Sequence, residues 1–493
     1  MRRGAAAILW LLPALLGTAQ PAEAELTVRV GSPIIYQYES VSLTVVDSEQ
    51  GQDADPGPVE VTMADARDRR TVVYAAPTDR PGEWRGRFTA TLAGRLTGAA
   101  VLARGEAREI GLVPLIQVRR ARRPGFLSLK PDGGRAFHQA PATPGAAGPS
   151  GSLFPLGIVL AAPAALPAPG SWDPAAECER CRALGANLVV VPLPDDAAHA
   201  GSPAGDAVDR LLLDAEQPGR SPLTIILRLR VDGPTDAVAT RMRDAGRRWG
   251  WAVALAAWQL QSDRDATAVD WRAATAALRS GDAYGHPIGA PADVAGASDV
   301  GDFCYGTGFP IGTRTRPAMA DAPAGTSLES LWRWMALGGL GAPVLSLEAL
   351  PEHAGKLIRA FRELAVRAGF HAAEAQSGGG LSPSEPAYRR HGSNLIAWTA
   401  GKSDLALPVP RGRYSASFLS PQTHEYRALP PATSTGGQVL ISGLPGGETG
   451  ILLLKLTQPV RPDRTVRSTR SKPRRSTPGH RSSPARKRLR RGR

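Results

Sequence analysis

The chain has 493 residues, 42% of them hydrophobic, which is enough for several buried cores and excludes a wholly disordered protein. Its 54 glycines and 44 prolines favour strands and loops over a helical rod. The formal charge of +14 belongs to one end: residues 457–493 hold 14 Lys/Arg and one acid, whereas residues 25–456 balance 43 bases against 43 acids. A neutral body with a basic tail is not the footprint of a nucleic-acid-binding domain, so nucleic acid is not an expected partner in the cell.

Residues 1–24 start with Met1-Arg2-Arg3, run apolar from Ala5 to about Leu16, and end Ala22-Glu23-Ala24. A basic start, an apolar core and small residues two apart predict a secretory signal peptide; a retained anchor is the alternative. The run is short for a stable membrane span and carries Pro13. The expected location is therefore secreted, periplasmic or cell-surface.

Residues 25–118 alternate in short apolar bursts separated by turn formers such as Asp55-Pro-Gly and Arg80-Pro-Gly-Glu. Bursts at 26–30, 41–46, 59–63, 71–74, 84–91 and 112–118 predict an antiparallel β-sandwich. Residues 119–152 add a basic stretch, a hairpin and a Pro/Gly/Ala-rich linker.

From 153 to 372 the rhythm becomes strand, helix, strand, helix, which predicts parallel strands with crossover helices. Strands are expected at 153–160, 187–192, 223–229, 252–260, 286–290, 300–305 and 343–347. Helices are expected at 173–184, 207–216, 236–249, 269–279, 328–337 and 353–368. About seven strands predict a compact or incomplete (β/α)8 barrel, with an open doubly wound sheet second. No Gly-rich phosphate loop follows the first strand, which weakens the nucleotide-binding version. Cys178 and Cys181 lie within a helical pattern, and Cys304 is the only other cysteine. A four-ligand zinc site needs a second pair, so the thiols are read as packing, and neither metal nor cofactor is expected. Another linker, Gln376–Pro386, precedes strands in 387–456 that predict a second small β-sandwich. Residues 457–493 offer almost nothing to bury and are expected to be disordered.

Several stretches resemble secreted bacterial glycoside hydrolases that join an N-terminal immunoglobulin-like domain, a (β/α)8 barrel and a C-terminal β-sandwich. They are Pro81-Gly-Glu-Trp84, Gly125-Phe-Leu-Ser-Leu-Lys-Pro-Asp132-Gly, Phe154-Pro-Leu-Gly157-Ile, Arg182-Ala-Leu-Gly-Ala-Asn187, Trp258-Gln-Leu-Gln-Ser262-Asp263 and Asp282-Ala-Tyr-Gly-His286-Pro. In order and spacing they cover most of residues 30–456.

The resemblance implies a retaining mechanism with two carboxylates about 5–5.5 Å apart at the C-terminal face of the barrel. Asp263 stands where the family has its acid/base glutamate, one methylene shorter, and Ser262 stands where the family has an asparagine. Glu348, after the strand-like Pro343–Leu347, stands as the nucleophile. On the alternative alignment that strand is the eighth, and the seventh has no glutamate, because Gly306–Ala320 contains none. Trp258, Gln261, Arg230 and Tyr305 are the candidate substrate-binding residues. Trp258 could stack on a sugar face or pack in the core. Arg228, Arg230 and Asp232 could line the mouth or form an ion pair at its rim, and His286 is read as structural. The implied function is a secreted carbohydrate-active protein acting on a polysaccharide or oligosaccharide, with activity weak or lost. The rival is a non-catalytic envelope protein tethered to anionic polymer by its basic tail.

Overall fold

The computed structural model describes residues 26–47, 58–104, 107–129 (except 123), 137–139, 152–153, 157–159, 174–217 (except 200), 223–262, 269–306 (except 293, 295 and 298), 318–322, 329–333 (except 331), 344–346, 354–368, 375–379 and 384–459. The expected signal segment, most of the basic tail, Asp263 and Glu348 lie outside the described residues.

Eight strands form the N-terminal unit: β1 (Leu26–Val30), β2 (Ile34–Tyr36), β3 (Ser40–Asp47), β4 (Val59–Ala64), β5 (Arg70–Pro77), β6 (Glu83–Thr89), β7 (Gly94–Arg104) and β8 (Ala107–Arg119), in the order β1-β3-β6-β5-β4-β7-β8-β2. β5 pairs with β4 along most of its length and with β6 at Ala76 and Pro77, so the sheet folds over on itself there. Alternate residues close over one core built on Leu43, Val45, Val61, Trp84, Phe88 and Ile116. The period of two in β3, buried at Val41, Leu43 and Val45, is the amphipathic pattern read from the sequence. β7 escapes that reading because its sequence, GRLTGAAVLAR, is rich in glycine and alanine, residues depleted in strands.

The short strands β9 (Leu127–Leu129), β10 (Phe137–Gln139) and β11 (Ser152–Leu153) pair antiparallel and lead into the barrel. Its strands are β12 (Gly157–Val159), β13 (Leu188–Pro192), β14 (Thr224–Arg230), β15 (Leu255–Gln261), β16 (Ile288–Pro291), β17 (Phe303–Gly306), β18 (Ala318–Ala322) and β19 (Val344–Ser346). All neighbours are parallel, and β19 pairs back onto β12 to close the ring. The barrel thus has eight strands rather than about seven, and it is not an open sheet. The missed strand is β18, whose sequence AMADA has neither a β-branched nor an aromatic residue. Among the described residues the longer helices are α1 (Pro174–Leu184), α2 (Pro203–Ala215), α3 (Thr235–Trp249), α4 (Trp271–Gly281) and α5 (Ala354–Ala368), packed around the outside. Side-chain caps hold two of their starts: Ser202 accepts from the Gly205 N–H, and Asp270 from the Ala273 N–H.

Inside the ring, Leu188, Val190, Ile226, Ala257, Phe303, Tyr305 and Met319 make a core separate from the strand–helix layer. Leu127 of β9 joins it, so the hairpin ahead of the barrel contributes to the barrel's own filling. Gly289 is what admits Phe303: a Cβ there would strike the Phe303 ring, which is wholly buried.

The C-terminal unit has β20 (Ala375–Gly379), β21 (Ala387–His391), β22 (Asn394–Trp398), β23 (Leu405–Pro408), β24 (Gly412–Leu419), β25 (Tyr426–Ser434), β26 (Gln438–Ile441) and β27 (Ile451–Pro459). Six form the sheet β20-β21-β22-β27-β24-β25, and β23 pairs with β26. β20 falls within the stretch read as a linker; its Gly and Ser residues disguise an edge strand paired with β21. Trp398, Leu419, Ile451 and Leu453 belong to the same buried cluster as the helical shell of the barrel, so the two units share a core.

Candidate active site

In a parallel barrel, side chains converge at the C-terminal ends of the strands. Here the middle of the interior is polar. Arg228 of β14 and Gln259 of β15 are register partners, one step above the apolar pair Ile226 and Ala257. The Arg228 Nε donates to Gln259 Oε1 at 3.0 Å, and its guanidinium lies 5.4 Å from the centre of the Tyr305 ring. Gln259, wholly buried, directs its amide nitrogen at the Met319 sulfur, 3.8 Å away. The Tyr305 hydroxyl donates to the Leu260 carbonyl at 2.7 Å. Arginine stays charged throughout the physiological range, so this floor supplies a fixed cation and amide groups rather than a proton shuttle.

One step further out, Arg230 pairs in register with Gln261. Arg230 is half exposed, and its Nε lies 4.0 Å from the Asp232 carboxylate. The Asp232 carboxylate also accepts from the Ser262 hydroxyl at 2.5 Å. Arg241 of α3 fixes this rim from behind by donating to the carbonyls of Arg230 and Asp232, at 2.7 and 3.0 Å. The ends of the third and fourth strands are therefore tied together by Asp232 and Ser262. Ser262, which stands where the resembled family has an asparagine, spends its hydroxyl on that tie.

The expected residues separate into three groups. Tyr305, Arg230 and Gln261 are brought to the inner wall and mouth, Tyr305 with its hydroxyl already engaged. Trp258 is not a sugar platform. It is fully buried on the outer face of β15, where its indole N–H donates to Asp282 at 3.0 Å and its ring meets His286 edge-on. Alternation decides this: Gln259 points into the barrel, so Trp258 must point out. Asp263 and Glu348 fall outside the described residues, but strand order bears on Glu348. It follows β19, the eighth strand, whereas the seventh, β18, carries Asp321 opposite Val344. The placement of Glu348 after a seventh strand is thus corrected by β18, the barrel strand that the sequence pattern missed, in favour of the alternative alignment. Gln259 and Met319 were missed as well; an inward polar residue in an otherwise apolar strand was the available signal.

His286 is structural, as read. Its Nδ1 lies 3.0 Å from Asp282, and both side chains are almost fully buried. Burial by itself raises the Asp282 carboxyl, but the facing His286 ring, the Trp258 indole and the Tyr284 backbone N–H outweigh it. The net effect holds the carboxyl below its ordinary value. Cys178 and Cys181 pack as read, Cys304 is buried as well, and burial pushes the Cys178 thiol up to about 12. Among the described residues, no three His, Cys, Asp or Glu side chains converge as a metal site.

This architecture is similar to that of solved structures, one of which superposes over most of the chain. A protein of Bacteroides vulgatus described as a candidate glycoside hydrolase superposes with a TM-score of 0.62 at 11% identity, covering 86% of this chain and 99% of that one. A glycoside hydrolase family 5 protein of the same organism gives 0.48 at 12% identity, over 68% and 93%. Pullulanase from Bacillus acidopullulyticus gives 0.37 at 10%, over 85% and 74%. At these identities the first likeness defines a glycoside-hydrolase-like fold, and the other two scores add nothing to it. No protein-family model and no curated protein matches the sequence.

Proposed function

We propose that this is an exported carbohydrate-binding protein with a glycoside-hydrolase-like barrel, whose hydrolytic activity is weak or lost. The observation that carries this reading is the pairing of Arg228 with Gln259 beneath Arg230 and Gln261, a wall of hydrogen-bond donors at the mouth of such a barrel. Fixed cations and amides suit sugar hydroxyls, and carboxylated sugars above all. Weak or absent turnover is supported by Asp263 in place of glutamate and by a seventh strand that bears Asp321 and no glutamate. If the chain retains activity, Asp263 is the acid, and its partner is Asp321 or Glu348. Residues 1–24 act as the export signal in this reading. A non-catalytic envelope protein is the second reading, favoured by the +13 charge of residues 457–493.

The test uses the full chain against a panel of neutral and uronic-acid oligosaccharides, with binding measured by calorimetry and turnover with aryl glycosides. Binding that weakens at least tenfold in Arg230→Ala, with turnover near background, is the expected result. Robust turnover abolished by Asp263→Asn would refute the loss of activity. No binding to any glycan would favour the envelope reading, to be checked by salt-sensitive adsorption to wall polymer with and without residues 457–493.

A further inference from the structure

The outer face of β8 carries an apolar stripe with basic ends. Ile110, Leu112 and Leu115 are 52%, 78% and 55% exposed, and Ile34 of the neighbouring β2 is 47% exposed. Alternation places Arg108, Ile110, Leu112 and Pro114 on one face, and the face continues past an irregularity through Leu115 and Gln117 to Arg119, all of them exposed. Partly exposed Val101 and Ala99 of β7 flank Ile110 and Leu112 in register, and exposed Arg95 flanks Gln117. A large aliphatic cluster left in water is unfavourable unless a partner covers it.

The charges choose the partner. Arginines stand at both ends, Arg108 at one and Arg119 with Arg95 at the other, and the nearest acid on this face in register is Glu60, on the far side of Val101. Two copies laid antiparallel along β8 would set Arg108 of one against Arg119 and Arg95 of the other, which opposes self-association. Aliphatic side chains between cations instead match a bilayer surface, where acyl chains lie beneath anionic headgroups.

We propose that the exposed face of β8 is a membrane-docking surface for anionic lipid, with Ile110, Leu112, Leu115 and Ile34 entering the interface and Arg108, Arg119 and Arg95 meeting headgroups. This surface is separate from the barrel mouth, and the test distinguishes it from binding through the basic residues 457–493.

An environment-sensitive fluorophore is placed at Leu112→Cys in the full chain, whose own thiols are buried, with Ser403→Cys in the C-terminal sandwich as control. Vesicles contain phosphatidylcholine with or without phosphatidylglycerol. The expected result is a blue shift and a severalfold rise in emission at position 112 with the anionic vesicles only, and none at 403. In unlabelled protein, Leu112→Ser with Leu115→Ser should weaken vesicle partition at least tenfold. Partition without any change at position 112 would overturn the proposal and assign binding to the tail. Emission already blue-shifted without vesicles would overturn it in favour of cover by segment 1–24. A dimer that dissolves in the double variant would overturn it in favour of a second copy.

Discussion

The backbone N–H of Thr89, at the end of β6 in the N-terminal sandwich, donates to the hydroxyl of Tyr284, in the turn ahead of the fifth barrel strand, at 2.8 Å. Around it, the Thr89 hydroxyl donates to the Trp251 carbonyl at 2.7 Å, and the Tyr284 ring stacks on Phe126 with centres 4.9 Å apart. Ser40 of β3 donates to Glu216, whose other oxygen accepts from the Ala254 N–H. Arg247 of α3 lies over Tyr74 of β5 at 4.1 Å. At these contacts the sandwich is joined to the turns that lead from α2, α3 and α4 into the next barrel strands, at the N-terminal end of the barrel and opposite its mouth.

Tyr284→Phe keeps the stacking and strands one buried N–H. The expected cost is about 1–3 kcal/mol, with the sandwich and the barrel unfolding less cooperatively than in the parent chain. Urea denaturation followed by tryptophan fluorescence measures it. An unchanged midpoint would mean that water replaces the hydroxyl without loss.

Asp282→Asn removes a carboxylate that serves the Trp258 indole, three backbone N–H groups and the His286 ring, and should cost about 2–4 kcal/mol at pH 7. Because the folded carboxyl titrates below its ordinary value, its contribution is fully present above the unfolded pKa of about 3.9 and is lost as pH falls through the folded value. The melting-temperature gap between parent and variant should stay level from neutral pH down to about pH 5 and narrow below about pH 4. A gap that widens in acid would contradict the assigned direction. Trp258→Phe should lower stability by removing a single bond and leave glycan affinity unchanged, which separates its packing role from a role in binding.

The three thiols should be silent to Ellman's reagent at pH 8 in the native protein and all react once it is unfolded. Burial and the raised Cys178 pKa both withhold the reactive thiolate. Rapid native labelling of Cys178 or Cys181 would show that α1 opens, and of Cys304 that β17 does.

Gly289→Ala places a methyl group against the Phe303 ring inside the barrel. The expected destabilisation is about 1–3 kcal/mol, because the buried ring has no room to retreat. Phe303→Leu in the same chain should recover part of the loss. A double variant no better than Gly289→Ala alone would show that the cost arises elsewhere.

Much of this architecture is legible in the residue order, and the reasons are local. Amphipathic strands such as β3 and β24 advertise themselves by alternation, and α3 by an apolar face at Val238, Met242, Ala245 and Trp249. Parallel strand β13 reads as a continuous apolar run, and β14 as one up to Leu227, because both of their faces are covered there. The strands that hid, β7, β18 and β20, are rich in Gly and Ala, and pairing supplies what their composition lacks: β7 and β18 have neighbours on both sides, and β20 has β21 on one. A pairing supplied from elsewhere in the chain leaves no trace in the strand's own composition.

The sequence by itself determined the order of sandwich, alternating α/β region and sandwich, the neutral body with its basic end, and the structural character of His286 and the cysteines. Only the tertiary structure decided that the ring closes with eight strands, that Glu348 follows the last of them, and that Trp258 faces the helices while Gln259 faces the interior. The physical reason is that composition and period report how much of a segment is buried, whereas closure and facing depend on register. A shift of one residue along β15 would exchange Trp258 for Gln259 at the barrel wall while leaving every residue type, and every local propensity, as it was.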